Sequence, residues 1–143
     1  CPHAIFIDTR KPEPELYVAD RGNGRVQVYD AEGKFKRGFG SDFLTSPSGF
    51  ATDGDILVVA ELRARVTLLD IDDRPVAYLG ANEEVCDDPG WPNNEDENGN
   101  KVRPRVLEQG KFNSPHGMAV DAAGNVYIAE WLIGGRFIKL AKR

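Results

Sequence analysis

Long apolar runs are missing from this sequence of 143 residues. No stretch approaches the ~20 consecutive apolar residues that cross a bilayer, so we expect a soluble chain and no membrane partner. The sequence leaves the compartment open, with the periplasm and the cell exterior among the options. A sustained helical period of apolar residues is also missing, which predicts an all-β chain.

Cysteine and clustered positive charge are scarce as well. The two cysteines, Cys1 and Cys86, make no disulfide framework, and we expect neither to be a core thiol nor the pair to be bridged. The net charge is −5 and no basic run is present, whereas nucleic-acid binding depends on clustered Lys and Arg. The sequence therefore predicts no nucleic-acid partner.

The chain contains a unit that is written three times. Each copy starts with Pro and then His or Ser, continues with a short apolar strand ending in an acid, and resumes at an Arg. The three copies are Pro2-His3, Leu16–Asp20 and Arg25–Asp30; Pro47-Ser48, Ile56–Glu61 and Arg65–Asp70; and Pro115-His116, Val126–Glu130 and Arg136–Leu140. A period of roughly 40 residues with several short strands per unit is typical of β-propeller blades.

These units divide the chain into one partial β-propeller. Blade one covers residues 1–40, blade two 41–80 and an incomplete blade three 113–143, with inner strands predicted at Ala4–Asp8, Gly49–Thr52 and Gly117–Asp121. Three blades are fewer than the four to eight that close a ring, so we expect about half of a six-bladed propeller. The remainder of a longer chain or self-association with a second chain would complete it, and the missing closing strand favours the longer chain.

A long acidic insertion, residues 81–112, separates blades two and three. Its segment 94–99 mimics the start of a calcium loop, but the position of the closing acid falls on Arg105. A solvated loop is therefore the preferred interpretation, and calcium is the weaker one. Trp91, between Gly90 and Pro92, is predicted to anchor the loop.

The only two histidines, His3 and His116, occupy the same position in their units. Inner strands line the channel of a propeller, so two imidazoles at their starts can converge on a divalent metal, with zinc as the expected cofactor. The alternative is that each His caps a turn or packs against a neighbour. Because Ser48 stands at this position in blade two, a third ligand must come from outside the three blades.

Two further sets of residues recur at the ends of the strands. The acids Asp20, Glu61 and Glu130 are expected to pair with Arg25, Arg65 and Arg136 across tight turns, as exposed structural pairs of little energetic weight. Positions that vary between equivalent turns are where a repeat protein builds a ligand-binding face, here for a small molecule or a peptide. That substrate face would comprise Arg21, Asn23, Arg63 and Trp131.

The segment Val18–Tyr29 resembles an NHL repeat, and the chain apart from its insertion is similar to NHL six-bladed propellers. Pro2-His3 and Pro115–Asp121 resemble, more narrowly, the peptidylglycine α-hydroxyglycine amidating lyase. That resemblance implies a channel zinc with His3 and His116 as two of three His ligands, and cleavage of α-hydroxyglycine-extended peptides to an amide and glyoxylate. The family's catalytic Arg and Tyr have no counterpart in this sequence.

Two other functions remain open. Pro115–Ala129 and Gly134–Arg136 also resemble the gluconolactonase (senescence-marker) propellers, which carry an Asp metal ligand where this chain has His116. This resemblance implies a metal-dependent lactone hydrolase. The third possibility is a non-catalytic module that binds a protein or peptide, since bacterial-type NHL propellers share the Pro-His-Gly phrase without known activity. The sequence leaves open whether the chain is an enzyme.

Overall fold

The computed structural model describes residues 1–143 and places them in short antiparallel strands joined by turns. The first sheet contains β1 (Pro2–Asp8), β2 (Glu15–Asp20), β3 (Arg25–Tyr29) and β4 (Phe35–Phe39). The second contains β5 (Pro47–Asp53), β6 (Ile56–Glu61), β7 (Arg65–Leu69) and β8 (Pro75–Leu79). A hairpin of β9 (Asn94–Glu95) and β10 (Lys101–Val102) precedes a third sheet of β11 (Pro115–Val120), β12 (Val126–Glu130) and β13 (Arg136–Leu140). The all-β prediction is confirmed, and strands pair in chain order within the three larger sheets.

The first strand of each larger sheet starts two residues earlier than its sequence pattern predicts. Pro2, Pro47 and Pro115 pair with the acids that end the second strands, and the register of each ladder then shifts before pairing resumes. Proline is tolerated at the first residue of a strand. The register shift that follows each proline breaks the alternation of apolar and polar residues. The period of two is therefore visible in the sequence only for the residues after the shift.

The three larger sheets pack face to face in chain order. Between the first two lies a cluster of nine buried apolar residues: Tyr17, Ala19, Val26, Val28, Leu44, Phe50, Leu57, Val59 and Leu69. A second cluster, Val58, Val66, Phe112, Val126 and Ile128, lies between the second and third sheets. Apart from Leu44 and Phe112, which lie outside the strands, the members of both clusters occupy strand positions, as expected for sheets with an inward face.

A buried ionic network joins the first two sheets at the end of β1. The side chain of Arg10 is 2% exposed and forms ion pairs with Asp8 at 2.9 Å and Asp73 at 2.8 Å. Tyr17 donates its hydroxyl proton to the Asp73 carboxylate at 2.9 Å. Burial alone would raise the pKa of Asp8, but its hydrogen bonds from Arg10 lower that pKa overall. The network therefore keeps the Asp8 carboxylate ionised inside the interface.

Large apolar side chains are exposed on the outer faces of the first and third sheets. Ile5 and Ile7 on β1 are 69% and 65% exposed, and Phe137 on β13 is 89% exposed. By the repeat, Phe137 is equivalent to Val26, which is fully buried between the first two sheets. The outer faces thus expose large apolar side chains, as surfaces that pack against another element do.

The insertion forms local structure of its own. It contains a 3₁₀ turn at Glu83–Asp87 and the β9–β10 hairpin. Cys86 is buried, so the prediction that neither cysteine lies in the interior was wrong. Both cysteines are free, as expected. No helix of the structure is long and apolar enough to cross a membrane.

The segment that resembles the start of a calcium loop forms the hairpin turn between β9 and β10. The Asp96 carboxylate accepts the backbone N–H groups of Asn98 at 2.8 Å and Asn100 at 2.9 Å. Asp121 makes the same pair of bonds two and four residues onward in the third sheet. A turn therefore accounts for this segment, and calcium binding stays a prediction.

Candidate functional site

The two histidines lie where the ladders of their sheets are irregular. The register shifts between Pro2 and Ile5 in the first sheet and between Pro115 and Gly117 in the third. Such an irregularity bends a strand and redirects its side chains, and it is common beside functional sites. It directs His3 and His116 away from the alternating pattern of their strands.

The two imidazoles meet although they are 113 residues apart in sequence. Their Nε2 atoms are 3.0 Å apart, and the ring centroids are 4.8 Å apart at an interplanar angle of 79°. Without a bound cation, one ring donates its Nε2 proton to the other. Two nitrogen ligands at about 2.0–2.1 Å from one zinc lie roughly 3 Å apart or slightly more, so the spacing also fits a shared metal.

The electrostatic surroundings favour neutral imidazoles. Burial lowers the pKa of His3, and the positive charge of Arg21 lowers it further. The same two causes lower the pKa of His116. Arg21 Nη1 lies 3.4 Å from His3 Nε2. Neutral rings carry the lone pairs that metal ligation requires.

The second sheet lies between the two sheets that carry the histidines and contributes no ligand. Ser48 is buried and its hydroxyl contacts the carbonyl oxygens of Pro115 at 2.9 Å and Ala60 at 3.1 Å. Its proton is therefore used to join β5 to β11. The structure contains no group of three or more His, Cys, Asp or Glu side chains suited to a metal ion.

Only part of the expected substrate face lies around the histidines. Arg21 is beside His3, and the Trp131 ring centroid is 6.2 Å from that of His116. Asn23 instead donates to both carboxylate oxygens of Asp20 at 2.9 Å. Arg63 forms an exposed ion pair with Asp87 at 3.2 Å and lies 6.0 Å from the centre of the Trp91 ring.

The repeated acid and Arg residues pair as predicted, but the acids are not exposed. The side chains of Glu61 and Glu130 are 0% exposed, with ion pairs of 2.7 Å to Arg65 and 2.5 Å to Arg136. Glu130 also accepts the backbone N–H groups of Asn113 and Ser114, directly before β11. Each acid thus fixes the segment that leads into a first strand. The expectation of weak surface pairs was wrong because these backbone contacts are long-range and leave no sequence signal.

Ser114 is a positioning residue that the sequence analysis missed. Its hydroxyl donates to the carbonyl oxygen of Trp131 at 2.8 Å, and its own carbonyl accepts the Trp131 N–H at 2.9 Å. Ser46 makes the equivalent backbone contact with Leu62 in the second sheet. The sequence signal for this role is that Ser114 and Ser46 occupy the same position in their repeats, two residues before His116 and Ser48.

The insertion packs beside this site. Trp91 Nε1 donates to the carbonyl oxygen of Asn113 at 3.1 Å, which confirms the predicted anchor. Asn93 Oδ1 accepts the N–H of Ile133 at 2.7 Å. The loop therefore contacts both the segment before β11 and the connection between β12 and β13.

No family model matches this sequence, and no curated protein is significantly similar to it.

Proposed function

We propose that the three larger sheets are blades of an NHL-type six-bladed β-propeller, and that His3 and His116 hold a zinc ion in its channel. The proposed activity is a lyase reaction on α-hydroxyglycine-type substrates. The observation that carries the proposal is the convergence of the only two histidines, Nε2 to Nε2 at 3.0 Å, from the first and third sheets. Their equivalent positions in the repeat support a functional pair over two independent packing roles.

The donor set fits zinc at two positions. Imidazole nitrogen is a common zinc ligand, and both rings are held neutral by burial and by Arg21. A bound zinc would supply Lewis acidity toward a substrate oxygen. The pair leaves further coordination positions to water, to substrate or to side chains of other blades.

Arg21 is suited to bind the substrate carboxylate. Its guanidinium forms a hydrogen bond only with the histidine pair and makes no ion pair within the chain. A guanidinium binds a carboxylate through two parallel hydrogen bonds, which fixes the orientation of the group. The α-carbon and its hydroxyl would then lie next to His3.

The proposed reaction is an elimination without a redox change. The hydroxyl group loses its proton, the carbon–nitrogen bond breaks with its electron pair on nitrogen, and the carbonyl of glyoxylate forms. The nitrogen takes up one proton, which yields the amide. Holding the carboxylate on Arg21 places the breaking bond at the histidine pair and reduces the entropy loss of reaching the transition state.

The exposed faces of the first and third sheets support the remaining half of the ring. We propose that further blades pack against Ile5 and Ile7 on one side and Phe137 on the other. These blades belong either to a second copy of this chain or to additional sequence of the same polypeptide. In either case the added half brings the third ligand that the structure does not contain.

The test is zinc content per chain, measured by mass spectrometry after dialysis against trace zinc. We expect about one zinc per chain, or about half if two chains share one channel, and loss of that zinc in His3→Ala and in His116→Ala. Asp42→Ala, which removes an exposed carboxylate elsewhere, is the matched control and should retain it. Zinc content unchanged in both His variants would overturn the proposal.

Activity distinguishes the competing functions. Glyoxylate released from an α-hydroxyglycine peptide supports the lyase, whereas acid released from a lactone supports the gluconolactonase-like hydrolase. If the chain binds zinc but catalyses neither reaction, the proposed metal site stands and both proposed activities are rejected. A chain that binds no zinc and catalyses neither reaction supports the peptide-binding module.

A further inference from the structure

The connection between β12 and β13, residues 131–135, differs from the equivalent connections in the other sheets. We call it the apolar turn. The first connection presents Arg21 and Asn23, and the second buries its apolar residue Leu62. In the apolar turn Trp131 is 58% exposed and Ile133 is 44% exposed. Exposing two large apolar side chains together on one turn costs free energy, which is typical of a ligand-binding surface.

The backbone of the apolar turn is fixed at several points. Ser114 holds Trp131 through both its hydroxyl and its carbonyl, and Asn93 accepts the Ile133 N–H at 2.7 Å. Gly134 has φ +86° and lies against Arg103, such that a Cβ atom there would come within 3.1 Å of Arg103 Cδ. The backbone that carries the exposed ring is therefore fixed by Ser114 and by the insertion, as in a preformed binding surface.

The histidine pair lies between the apolar turn and a positive charge. The Trp131 ring centroid is 6.2 Å from that of His116, while Arg21 Nη1 is 3.4 Å from Nε2 of His3. A ligand spanning the pair therefore meets a guanidinium at one end and an indole ring at the other. A few fixed polar groups beside an apolar surface are typical of small-molecule sites.

We infer that Trp131 and Ile133 form a specificity surface for an aromatic or aliphatic acyl group on the carboxylate substrate. The inference rests on the proposed function, which places the substrate carboxylate on Arg21. The class of ligand is an N-acylated amino acid of glycine size whose acyl group is apolar. Small or polar acyl groups leave the indole surface in contact with water and bind less tightly.

The contribution of the acyl group to binding can be measured with two ligands that do not react. N-benzoylglycine and N-acetylglycine share one carboxylate and one amide and differ in having a phenyl or a methyl group on the acyl carbon. Calorimetric titration of the zinc-loaded chain with each therefore compares phenyl with methyl. We expect N-benzoylglycine to bind about tenfold more tightly, since contact between two aromatic rings is worth that order of affinity. Equal affinities, or no binding of either ligand, would overturn the inference.

Three variants test whether Trp131 is responsible. Trp131→Ala should bring the ratio of the two affinities close to one by weakening N-benzoylglycine, and Trp131→Phe should preserve most of it. Phe35→Ala removes a 56% exposed aromatic ring from β4 and should leave the ratio unchanged. A ratio that survives in Trp131→Ala overturns the inference. Circular dichroism of each variant verifies that the sheets are intact.

Zinc content separates this inference from the proposed function. If zinc does not depend on the histidines while the benzoyl preference depends on Trp131, the proposed function fails and the apolar surface stands. If zinc is lost in the His variants while Trp131→Ala keeps the preference, the metal site stands and the inference fails. Asn93→Ala should reduce the preference without loss of zinc, because Asn93 acts on the turn and does not contact the histidines.

Discussion

The buried acids at the strand ends show how much one residue can contribute to this molecule. Glu61 is 0% exposed and receives hydrogen bonds from Arg65, Thr67, Thr45 and Ser46. These donors come from β7 and from the segment before β5. A single carboxylate therefore satisfies backbone and side-chain donors that would otherwise be buried without partners.

Removing this carboxylate should be costly. We expect Glu61→Ala to lower the free energy of unfolding by about 3–5 kcal/mol, because the donors of Thr45, Ser46 and Thr67 lose their buried acceptor and Arg65 keeps only its contacts with Glu83 and the Phe43 carbonyl. Denaturant titration followed by circular dichroism measures the change. Glu95→Ala breaks an exposed pair with Lys101 and should cost about 1 kcal/mol or less. Similar losses in the two variants would contradict the argument.

Stability at acid pH should depend on Glu15 and on the positively charged side chains that pair with it. Hydrogen bonds from Arg37 hold the pKa of Glu15 at about 2, below its ordinary value of 4.5. Because the folded pKa is the lower one, this contribution is present above pH 4.5 and is lost as the pH falls toward 2. Arg37→Ala should therefore lower stability at neutral pH and flatten the decline across that window. A pH series of denaturant midpoints tests this, and an unchanged slope would contradict it.

For single residues, the sequence identifies the side chains that form the candidate site better than it identifies the groups that those and other side chains contact. The equivalent positions of His3 and His116 indicate that they converge, because side chains at matching places of a repeat share a direction. The burial of Glu61 and Glu130 and the role of Ser114 are not predictable in the same way. They depend on backbone N–H groups 15 or more residues away in sequence.

Among the elements, strands and turns follow the sequence closely, except where the ladder is irregular. The strands β4 and β8 each stop directly before a glycine, Gly40 or Gly80, so the sequence itself marks where they end. The starts of β1, β5 and β11 were placed two residues late. An irregular ladder obeys no period of two, so pattern analysis cannot place a strand start within it.

The insertion is joined to the second sheet through a glycine. Gly80 has φ +57°, and a Cβ atom there would lie 2.6 Å from the ring of Phe112, which is 2% exposed. Gly80→Ala should therefore destabilise the fold by more than about 2 kcal/mol, combining backbone strain with a steric clash. Thermal unfolding measures this loss. Gly33→Ala is the matched control, since Gly33 has φ +83° with nothing within 4 Å and should cost about 1 kcal/mol.

In the whole molecule, the outer faces of the first and third sheets are the surfaces that leave large apolar side chains most exposed to water. Ile5 and Phe137 are strongly exposed, whereas their counterparts in the repeat, Phe50 and Val26, are buried between sheets. Burial of such faces contributes roughly 25 cal/mol for each Å² of apolar area removed from water. The molecule therefore gains free energy when another sheet covers either face.

Association of the chain should depend on these faces. If a second copy completes the ring, light scattering after size-exclusion chromatography will give a dimer, and Phe137→Glu will convert it to a 15.8 kDa monomer. Val106→Glu changes a residue of the insertion that is 81% exposed and should leave the dimer intact. A wild-type chain that stays monomeric at high concentration would assign the covering blades to additional sequence of the same polypeptide.

The contact between His3 and His116 has a consequence for unfolding. The two rings belong to strands at opposite ends of the chain, 113 residues apart. An ion bound to both nitrogens in the folded state alone is a reversible cross-link that closes a loop of nearly the whole sequence. The midpoint of thermal unfolding should then rise with zinc concentration, because the free energy of unfolding increases by about 2.7 kcal/mol at a hundred times the dissociation constant. If such an ion is bound, withdrawing it opens a loop of nearly the whole sequence and leaves the hydrogen bond between the two imidazoles as the link between the first and third sheets at the site.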